Sequence, residues 1–163
     1  MSLQNCRVVL VRPQFAGNIG ATARVMRNLG VPNLVLVAPH ADPLDAEARK
    51  LSTHGEEILH QSRIVPELSD ALADCVCVVG TSARIGGPVR RQSVLSLGEV
   101  MPRLAEILAS GPAALVFGPE ANGLTDAEVS RCHYLIHIPA EASYLALNLA
   151  QAVAICLYEL RCA

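Results

Sequence analysis

The sequence contains no tryptophan, and only 3% of its 163 residues are aromatic. Proteins that bind single-stranded RNA by stacking successive bases need several aromatic side chains, so this composition excludes a stacking platform of that kind. Charged residues make up 17% of the chain and hydrophobic residues 52%. This balance indicates a sheet that is covered on both faces, or apolar surface that is hidden in an oligomer.

Long apolar runs and paired cysteine motifs are absent as well. No run reaches the roughly 18 apolar residues of a membrane-spanning helix, and the first residues do not resemble a signal peptide. The six cysteines are scattered, with no Cys-x-x-Cys pair, and a chain of this length buries a core without disulfides or metals. We therefore predict free thiols, no metal ion, no membrane segment and a cytoplasmic location.

The net charge of −2 does not point to a nucleic-acid partner, but the distribution of arginine does. Arginine accounts for 12 of the 13 basic residues, and neither residues 1–41 nor residues 75–98 contain an acid. The arginines of these two stretches are Arg7, Arg12, Arg24, Arg27, Arg84, Arg90 and Arg91. Since a guanidinium group binds phosphate through parallel hydrogen bonds, the stretches predict a phosphate-facing patch, with ordinary surface charge as the alternative.

Short apolar runs alternate with helical patterns along the chain. This alternation predicts one α/β domain with a mostly parallel sheet and helices on both faces. The predicted strands are 7–11, 33–37, 63–65, 75–79, 113–117 and 134–138. The predicted helices are 19–29, 46–59 with a break near 53–55, 67–73, 97–109, 126–131 and 147–161. Two Ser/Thr-x-x-Glu capping boxes, at Ser96 and Thr125, mark helix starts.

Four polar segments follow predicted strands, at 17–24, 80–84, 116–124 and 138–150. In an open parallel sheet, the loops at the carboxyl ends of the strands are where ligands bind. Segment 80–84 contains small, hydrogen-bonding residues, which suit either an ordinary turn or a ligand that passes over the strand end. The segments therefore predict a binding site at one edge of the sheet.

Individual residues of these segments have two interpretations each. Asn18 either caps the first helix or helps its backbone amides to bind an anion. Arg24 lies six residues further on, beside small residues that leave room for a substrate. Glu120 either accepts from a ligand amine or holds its loop by bonding backbone amides. Asn148 either caps the last helix or belongs to the site.

Together these segments resemble the SPOUT class of RNA methyltransferases, and within it the tRNA ribose 2'-O-methyltransferases of the TrmJ type. The matching stretches are Asn18-Ile19-Gly20-Ala21 with Ala23-Arg24, Gly80-Thr81-Ser82-Ala83-Arg84, Val116-Phe117-Gly118 with Glu120, Gly123-Leu124-Thr125, Cys132-His133-Tyr134 and Leu147-Asn148-Leu149-Ala150. The resemblance extends over essentially the whole chain.

The resemblance implies an α/β fold with a C-terminal trefoil knot, and a homodimer whose active site is completed across the interface. S-adenosylmethionine (AdoMet) would be the cofactor, and no metal would take part. The implied cofactor-binding residues are Thr81, Ser82, Ala83, Gly118, Glu120, Gly123, Ile138, Leu145, Ala146 and Leu147. The implied catalytic residues are Arg24, which would serve near the partner's cofactor, Asn18 and Asn148. The implied RNA-binding residues are Arg12, Arg27, Arg84, Arg90 and Arg91.

The implied activity is transfer of a methyl group to a ribose 2'-hydroxyl, with tRNA at the start of the anticodon loop as substrate and rRNA as an alternative. The chain departs from the family pattern at Ala146, where a serine is usual. It also departs at Leu145, where a small polar residue is common, and at Pro119, where an arginine is frequent. A catalytically weak homodimer that binds RNA or AdoMet is therefore a further alternative. TrmJ-type proteins continue into a C-terminal RNA-binding extension, which we do not expect in this single domain of residues 1–163.

Overall fold

The computed structural model describes residues 3–83 and 93–163, which form one parallel sheet with helices packed on it. The strands are β1 (Cys6–Val11), β2 (Asn33–Val37), β3 (Arg63–Val65), β4 (Cys77–Thr81), β5 (Val94–Leu95), β6 (Ala113–Phe117) and β7 (Tyr134–Ile136). The α-helices are α1 (Ala16–Leu29), α2 (Ala46–Ser52), α3 (Glu56–Gln61), α4 (Leu68–Leu72), α5 (Leu97–Leu108), α6 (Asp126–Val129) and α7 (Leu149–Cys162). The strand order is β3-β2-β1-β6-β4-β7-β5, and each described strand pair is parallel.

The central strands are apolar along most of their length because both faces of the sheet are covered. In β1, Val8 and Leu10 face a core that includes side chains of α1, α5 and α7. Val9 and Val11 face the opposite core, which includes side chains of α4 and α6. The predicted α/β architecture, with helices on both faces, is confirmed.

Several helix boundaries follow the predicted local signals. Helix α1 ends at Gly30, which has φ of +76° and donates its backbone N–H to the Met26 carbonyl. Capping boxes begin α5 at Ser96 and α6 at Thr125. The predicted helix at 46–59 is divided into α2 and α3 by a 3-10 turn at Thr53–Gly55, as its break predicted. These boundaries depend on neighbouring residues, so sequence patterns can locate them.

Three predictions about local structure were wrong. Helix α1 begins at Ala16 with Phe15 as its N-cap, so Asn18 lies inside the helix and does not cap it. Strand β4 begins at Cys77, two residues later than predicted, because the preceding residues form a turn. Strand β5 was not predicted, since two residues are too few to show an alternating pattern.

The strand order places later strands between earlier ones. Strand β6 pairs with β1 on one side and β4 on the other, and β7 pairs with both β4 and β5. The chain between β4 and β5 includes residues 84–92, which lie outside the described part. The trefoil threading of this fold therefore stays a prediction.

All six cysteines are free thiols, and most are buried in the two cores. Burial raises the pKa of the Cys6 and Cys156 thiols to about 12, so both are protonated at neutral pH and pack as small apolar groups. Among residues 3–83 and 93–163, no group of three or more potential metal ligands comes together, and no helix is long and apolar enough to cross a membrane.

One ion pair at the amino end of β1 predicts a dependence of stability on pH. Arg7 donates to both carboxylate oxygens of Asp74, at 2.7 and 3.0 Å, and this bond lowers the pKa of Asp74 to about 2. A carboxylate with a lowered pKa stabilises the fold above its unfolded pKa of about 4, and loses that contribution as the pH falls toward 2. Because Asp74 is 61% exposed, we expect the contribution to stay below about 1 kcal/mol.

Urea unfolding of the wild type and Asp74→Asn at pH 6 and pH 3 measures this contribution. The difference between the two unfolding free energies should be smaller at pH 3. A difference that is the same at both pH values would contradict the assignment.

Candidate functional site

A cavity of about 230 Å³ lies at the carboxyl ends of β4, β6 and β7. Three loops form it: the residues after Thr81, the loop 118–123 and the segment 138–147. Every residue predicted to bind the cofactor lines this cavity: Thr81, Ser82, Ala83, Gly118, Glu120, Gly123, Ile138, Leu145, Ala146 and Leu147. The structure therefore gathers residues from three distant parts of the chain at one edge of the sheet.

Four further apolar residues line the cavity without having been assigned to the cofactor from the sequence. Phe117 and Leu124 flank the loop 118–123, and Leu149 and Ala152 belong to the first turn of α7. Phe117, Leu124 and Leu149 lie within the predicted segments 116–124 and 138–150, which was the available signal, whereas Ala152 lies beyond them.

The loop 118–123 folds back on itself closely at Gly118. A Cβ atom at Gly118 would lie 2.3 Å from the carbonyl carbon of Gly123 and from the backbone nitrogen of Leu124. No side chain fits there, so glycine is required for this turn. A bond from the Gly123 N–H to the Pro119 carbonyl, 2.9 Å long, closes the loop.

Glu120 joins this loop to the start of α1. Its carboxylate accepts from the backbone N–H of Gln14 at 2.9 Å, from that of Phe15 at 3.0 Å and from the Asn18 side-chain Nδ2 at 3.0 Å. In return, the Gln14 side chain accepts from the Ala121 N–H at 3.2 Å. Of the two interpretations of Glu120, these bonds support the bonding of backbone amides, although the residue also lines the cavity.

Asn18 and Asn148 meet beside the cavity although 130 residues separate them. Asn148 Nδ2 donates to Asn18 Oδ1 at 3.0 Å, and Asn148 Oδ1 accepts from the backbone N–H of Ala150 at 3.0 Å. Asn148 is therefore the N-cap of α7, as one of its two interpretations predicted. The other interpretation, that Asn148 belongs to the site, stays a prediction: Asn148 does not line the cavity but lies between two residues that do.

His137 links two of the loops and was not identified from the sequence. Its Nδ1 lies 3.0 Å from the Ser82 carbonyl oxygen, so this ring nitrogen donates the bond. Its backbone N–H donates to Leu95 at 3.2 Å, and Ser82 donates its own N–H to Ile136 at 2.9 Å. His137 therefore holds the end of β4 against β7 at the wall of the cavity.

The arginines predicted to bind RNA have different environments. Arg24 and Arg27 are exposed on α1, and neither makes a hydrogen bond or ion pair with any residue that the structure describes. Arg12 is ion-paired with Glu128 at 2.7 Å. Arg84, Arg90 and Arg91 lie outside the described residues.

The arginine patch predicted for residues 1–41 is therefore smaller than expected. Arg7 lies at the opposite end of β1 from Arg12, and its guanidinium is bound by Asp74. Within the described ranges, the unpaired cations of this stretch are Arg24 and Arg27. Neither lines the cavity of its own chain.

The three residues that depart from the family pattern all lie at the cavity. Leu145, Ala146 and Pro119 all line it, and none carries a hydroxyl or a charge. The polar groups that line the cavity are backbone atoms, the side chains of Thr81, Ser82 and Asn122, and the Glu120 carboxylate, which is bonded to residues at the start of α1. The arrangement can hold a partly apolar ligand next to an amide pair that orients a second molecule.

Known proteins match the chain over nearly its full length. Residues 5–158 match the SpoU rRNA Methylase family. The chain is 44% identical over 161 residues to the tRNA (cytidine/uridine-2'-O-)-methyltransferase TrmJ of Yersinia pestis, a match that covers 99% of this chain and 62% of that protein. The chain thus spans about 62% of the length of these curated relatives.

Solved structures are similar as well. A probable methylase family protein from Haemophilus influenzae superimposes with a TM-score of 0.90 at 38% identity, covering 99% of this chain and 66% of the other. The crystal structure of TrmJ from Z. mobilis gives a TM-score of 0.86 at 34% identity, covering 95% of this chain and 68% of that one.

Proposed function

Because the chain belongs to the SpoU rRNA methylase family, we propose that it transfers a methyl group from AdoMet to a ribose 2'-hydroxyl of RNA. One observation carries the proposal. Every residue assigned to the cofactor from the sequence lines one cavity, and the Asn18–Asn148 pair lies beside it. The walls of this cavity therefore bind the methyl donor, and the amide pair orients the acceptor.

The residues of the cavity fit AdoMet. Aliphatic side chains of Ile138, Leu145 and Leu147 provide apolar surface for an adenine ring, as small-molecule sites commonly do. Gly118 and Ala83 leave backbone groups accessible to the polar ends of the molecule. When bound, the cofactor supplies a methyl group made electrophilic by a positively charged sulfur.

The two asparagines orient the acceptor ribose. Each side-chain amide has two N–H donors, and one on Asn18 is used by Glu120 while one on Asn148 is used by Asn18. The remaining N–H of each asparagine is available to an oxygen of the nucleotide. Holding the 2'-oxygen in line with the methyl group converts the reaction into an effectively unimolecular one.

Arg24 stabilises negative charge on the 2'-oxygen or on the adjacent phosphate. An arginine side chain is always protonated in proteins, so it acts here as a cation and not as a base. Fixed positive charge placed where negative charge develops is a large contribution to catalysis. Since Arg24 does not line the cavity of its own chain, it serves the site of a second protomer.

A homodimer provides that second protomer. Helix α7 exposes Tyr158, which is 59% exposed, and the neighbouring Ala154 and Ile155 are partly buried. An exposed aromatic side chain on a largely apolar helix suits a symmetric interface with another copy of the chain. In this arrangement the site consists of the cavity of one protomer and Arg24 of the other.

The proposed substrate is tRNA, methylated at the start of the anticodon loop. Support comes from the relatives, which include proteins named as tRNA (cytidine/uridine-2'-O-)-methyltransferases at 44% identity. Arg24 and Arg27 supply exposed positive charge for the RNA backbone, together with the predicted contributions of Arg12, Arg84, Arg90 and Arg91.

Transfer of labelled methyl from AdoMet to unmodified tRNA, followed by nuclease mapping, tests this proposal. We expect label in one 2'-O-methylated dinucleotide from the anticodon loop. Label in ribosomal RNA and not in tRNA would select the rRNA alternative. No label in either RNA would contradict methyl transfer.

A catalytically weak dimer remains the second candidate, because Ala146 places a methyl group in the cavity where the family usually has a hydroxyl. The Ala146→Ser variant separates the two candidates. If the wild type binds AdoMet without turnover and the serine variant methylates RNA, the weak-dimer alternative is correct. If the wild type turns over at a rate close to that of the serine variant, it is not.

His137 gives a prediction about cofactor affinity. Replacing His137 by alanine removes the bond from its Nδ1 to the carbonyl of Ser82, which lines the cavity. We expect the Kd of AdoMet to rise about fivefold, the effect of losing one hydrogen bond of about 1 kcal/mol. Asparagine can place an N–H near the position of Nδ1, so His137→Asn should retain most of the affinity. Isothermal titration with AdoMet measures both variants, and equal affinities for alanine and asparagine would contradict the role.

A further inference from the structure

Phe15 is an exposed aromatic side chain beside the candidate site. It is 61% exposed and belongs to neither of the two cores, whereas Phe117 is 1% exposed. A phenylalanine left in water loses the stabilisation that burial gives it. Its exposure leaves the ring available to a ligand.

The backbone of Phe15 is held in place although its side chain is not. Its N–H donates to Glu120 at 3.0 Å, and its carbonyl accepts from Asn18 at 3.1 Å and from Ile19 at 3.4 Å. Phe15 occupies the N-cap of α1, a position where serine, threonine, aspartate or asparagine is favoured. No side chain caps the helix there, and Glu120 of another loop accepts the backbone N–H of Phe15 itself. The chain thus places a large apolar ring where local structure favours a small polar side chain, which is typical of functional positions.

The position of the ring points to a ligand. Phe15 lies three residues before Asn18, and the same Glu120 carboxylate binds both residues. Asn18 in turn contacts Asn148, the other half of the amide pair. The backbone of Phe15 is therefore fixed next to the groups that orient the acceptor ribose, and its exposed ring starts from that position. The unpaired cations Arg24 and Arg27 follow on the same helix and match a polyanion.

We propose that Phe15 is a base-binding residue, on whose ring a nucleobase of the substrate RNA stacks next to the methylated ribose. The proposal rests on the proposed function. A ribose that is held at Asn18 and Asn148 carries its base, and single-stranded RNA is recognised by stacking unpaired bases on aromatic rings. Stacking needs no base-specific hydrogen bonds, so this contact accepts more than one base. One ring suffices for one base, in agreement with the few aromatic residues of the chain.

The absence of tryptophan allows a direct test. In Phe15→Trp the new side chain is the sole tryptophan, and its fluorescence reports on position 15 alone. Titration with an unmodified anticodon stem-loop RNA should quench this fluorescence. Binding of the RNA without any change in fluorescence would overturn the proposal.

Kinetics of Phe15→Leu complete the test. This variant keeps apolar bulk but lacks a flat ring, so KM for tRNA should rise about tenfold, the effect of losing one stacked base. The Kd of AdoMet should not change, and Phe15→Tyr should behave as the wild type. The matched control is Ile64→Ala on β3, since Ile64 is 56% exposed and does not line the cavity.

Besides unchanged fluorescence, two results would overturn the proposal. One is an unchanged KM in Phe15→Leu; the other is a shift of Phe15→Leu to monomer in size-exclusion chromatography, which would place the ring in the dimer interface. Failure of the proposed function looks different, because the wild type would then neither bind AdoMet nor methylate RNA.

Discussion

Replacing Glu120 by alanine should destabilise the fold and abolish most of the methyl transfer. The carboxylate accepts three N–H groups at the start of α1, from Gln14, Phe15 and Asn18. Hydrogen bonds to a charged group contribute about 1.5–3 kcal/mol each when buried. Because Glu120 is half-buried, we expect the whole set to contribute about 2–3 kcal/mol to the free energy of unfolding.

The rate of methyl transfer should fall by more than the loss of folding stability alone would cause. Without Glu120, the Asn18 amide loses the bond that fixes its orientation, and Asn148 loses the fixed partner that it contacts. Misplacing the acceptor by about 1 Å can reduce the rate about a hundredfold. Urea unfolding and single-turnover methyl transfer measure the two effects separately.

Two variants control for this substitution. Glu120→Gln keeps the shape but presents an amide N–H where the carboxylate accepts, so it should restore only part of the stability. Glu106→Ala removes an exposed acid of α5 and should change neither quantity. Wild-type stability and turnover in Glu120→Ala would contradict the bracing role of this carboxylate.

Replacing Arg24 by alanine should leave the fold intact and reduce methyl transfer by about 10²–10³-fold, the effect of losing one group that stabilises developing charge. The fold should be unaffected because Arg24 is exposed and has no polar partner within residues 3–83 and 93–163. Thermal melting and single-turnover kinetics with saturating tRNA measure the two properties. Arg24→Lys should recover part of the rate, since it keeps the charge without the planar fork.

Arg27→Ala is the matched control for Arg24. It lies one turn further along α1, is equally exposed and is also unpaired within the part of the chain that the structure describes. We expect it to weaken tRNA binding at moderate salt, with a rate at saturating tRNA close to that of the wild type. Equal losses of rate in the two variants would show that Arg24 acts only through RNA affinity.

Mixing two inactive variants tests whether the site is shared between protomers. In a hybrid dimer of Arg24→Ala and Asn148→Ala, one site has both defects and the other has neither. After random exchange of subunits, about half of the dimers are hybrids, and each hybrid has one intact site out of two. The mixture should therefore regain about a quarter of the wild-type activity. No recovery after exchange would place Arg24 in the site of its own chain.

Local patterns in the sequence were sufficient to predict most elements and all of the cavity-lining loops. The strands at 33–37, 63–65 and 113–117 were predicted with the bounds that the structure has. The apolar runs 34–37 and 113–117 indicate strands that are buried on both faces, whereas 63–65 is a short edge strand in which only Val65 is buried. The capping boxes at Ser96 and Thr125 could also be predicted, because each is formed by two residues that are three apart in the sequence.

Contacts between distant residues were not predictable in this way. Asn18 has the residue type of an N-cap, but the helix begins earlier than its local sequence indicates, and the Asn18 side chain instead donates to a carboxylate 102 residues away. The bond from His137 to Ser82 joins residues 55 apart. Hydrophobic periodicity indicates whether a strand is buried, but it does not indicate which strand lies next to it. The position of β6 between β1 and β4 could therefore not be predicted from it.

In the sheet, β6 lies between β1 and β4, which precede it in the sequence, and this order affects how the chain folds during synthesis. Strand β4 pairs only with β6 and β7 within the described residues, and β6 begins at Ala113. At about 5–20 residues per second, a ribosome leaves the apolar edges of β4 unpaired for a few seconds before the first partner emerges. Sheets that depend on such long-range pairing fold slowly and expose strand edges that aggregate. Fragments that end before residue 113 should therefore precipitate, and the newly made chain should depend on chaperones until its last strands are complete.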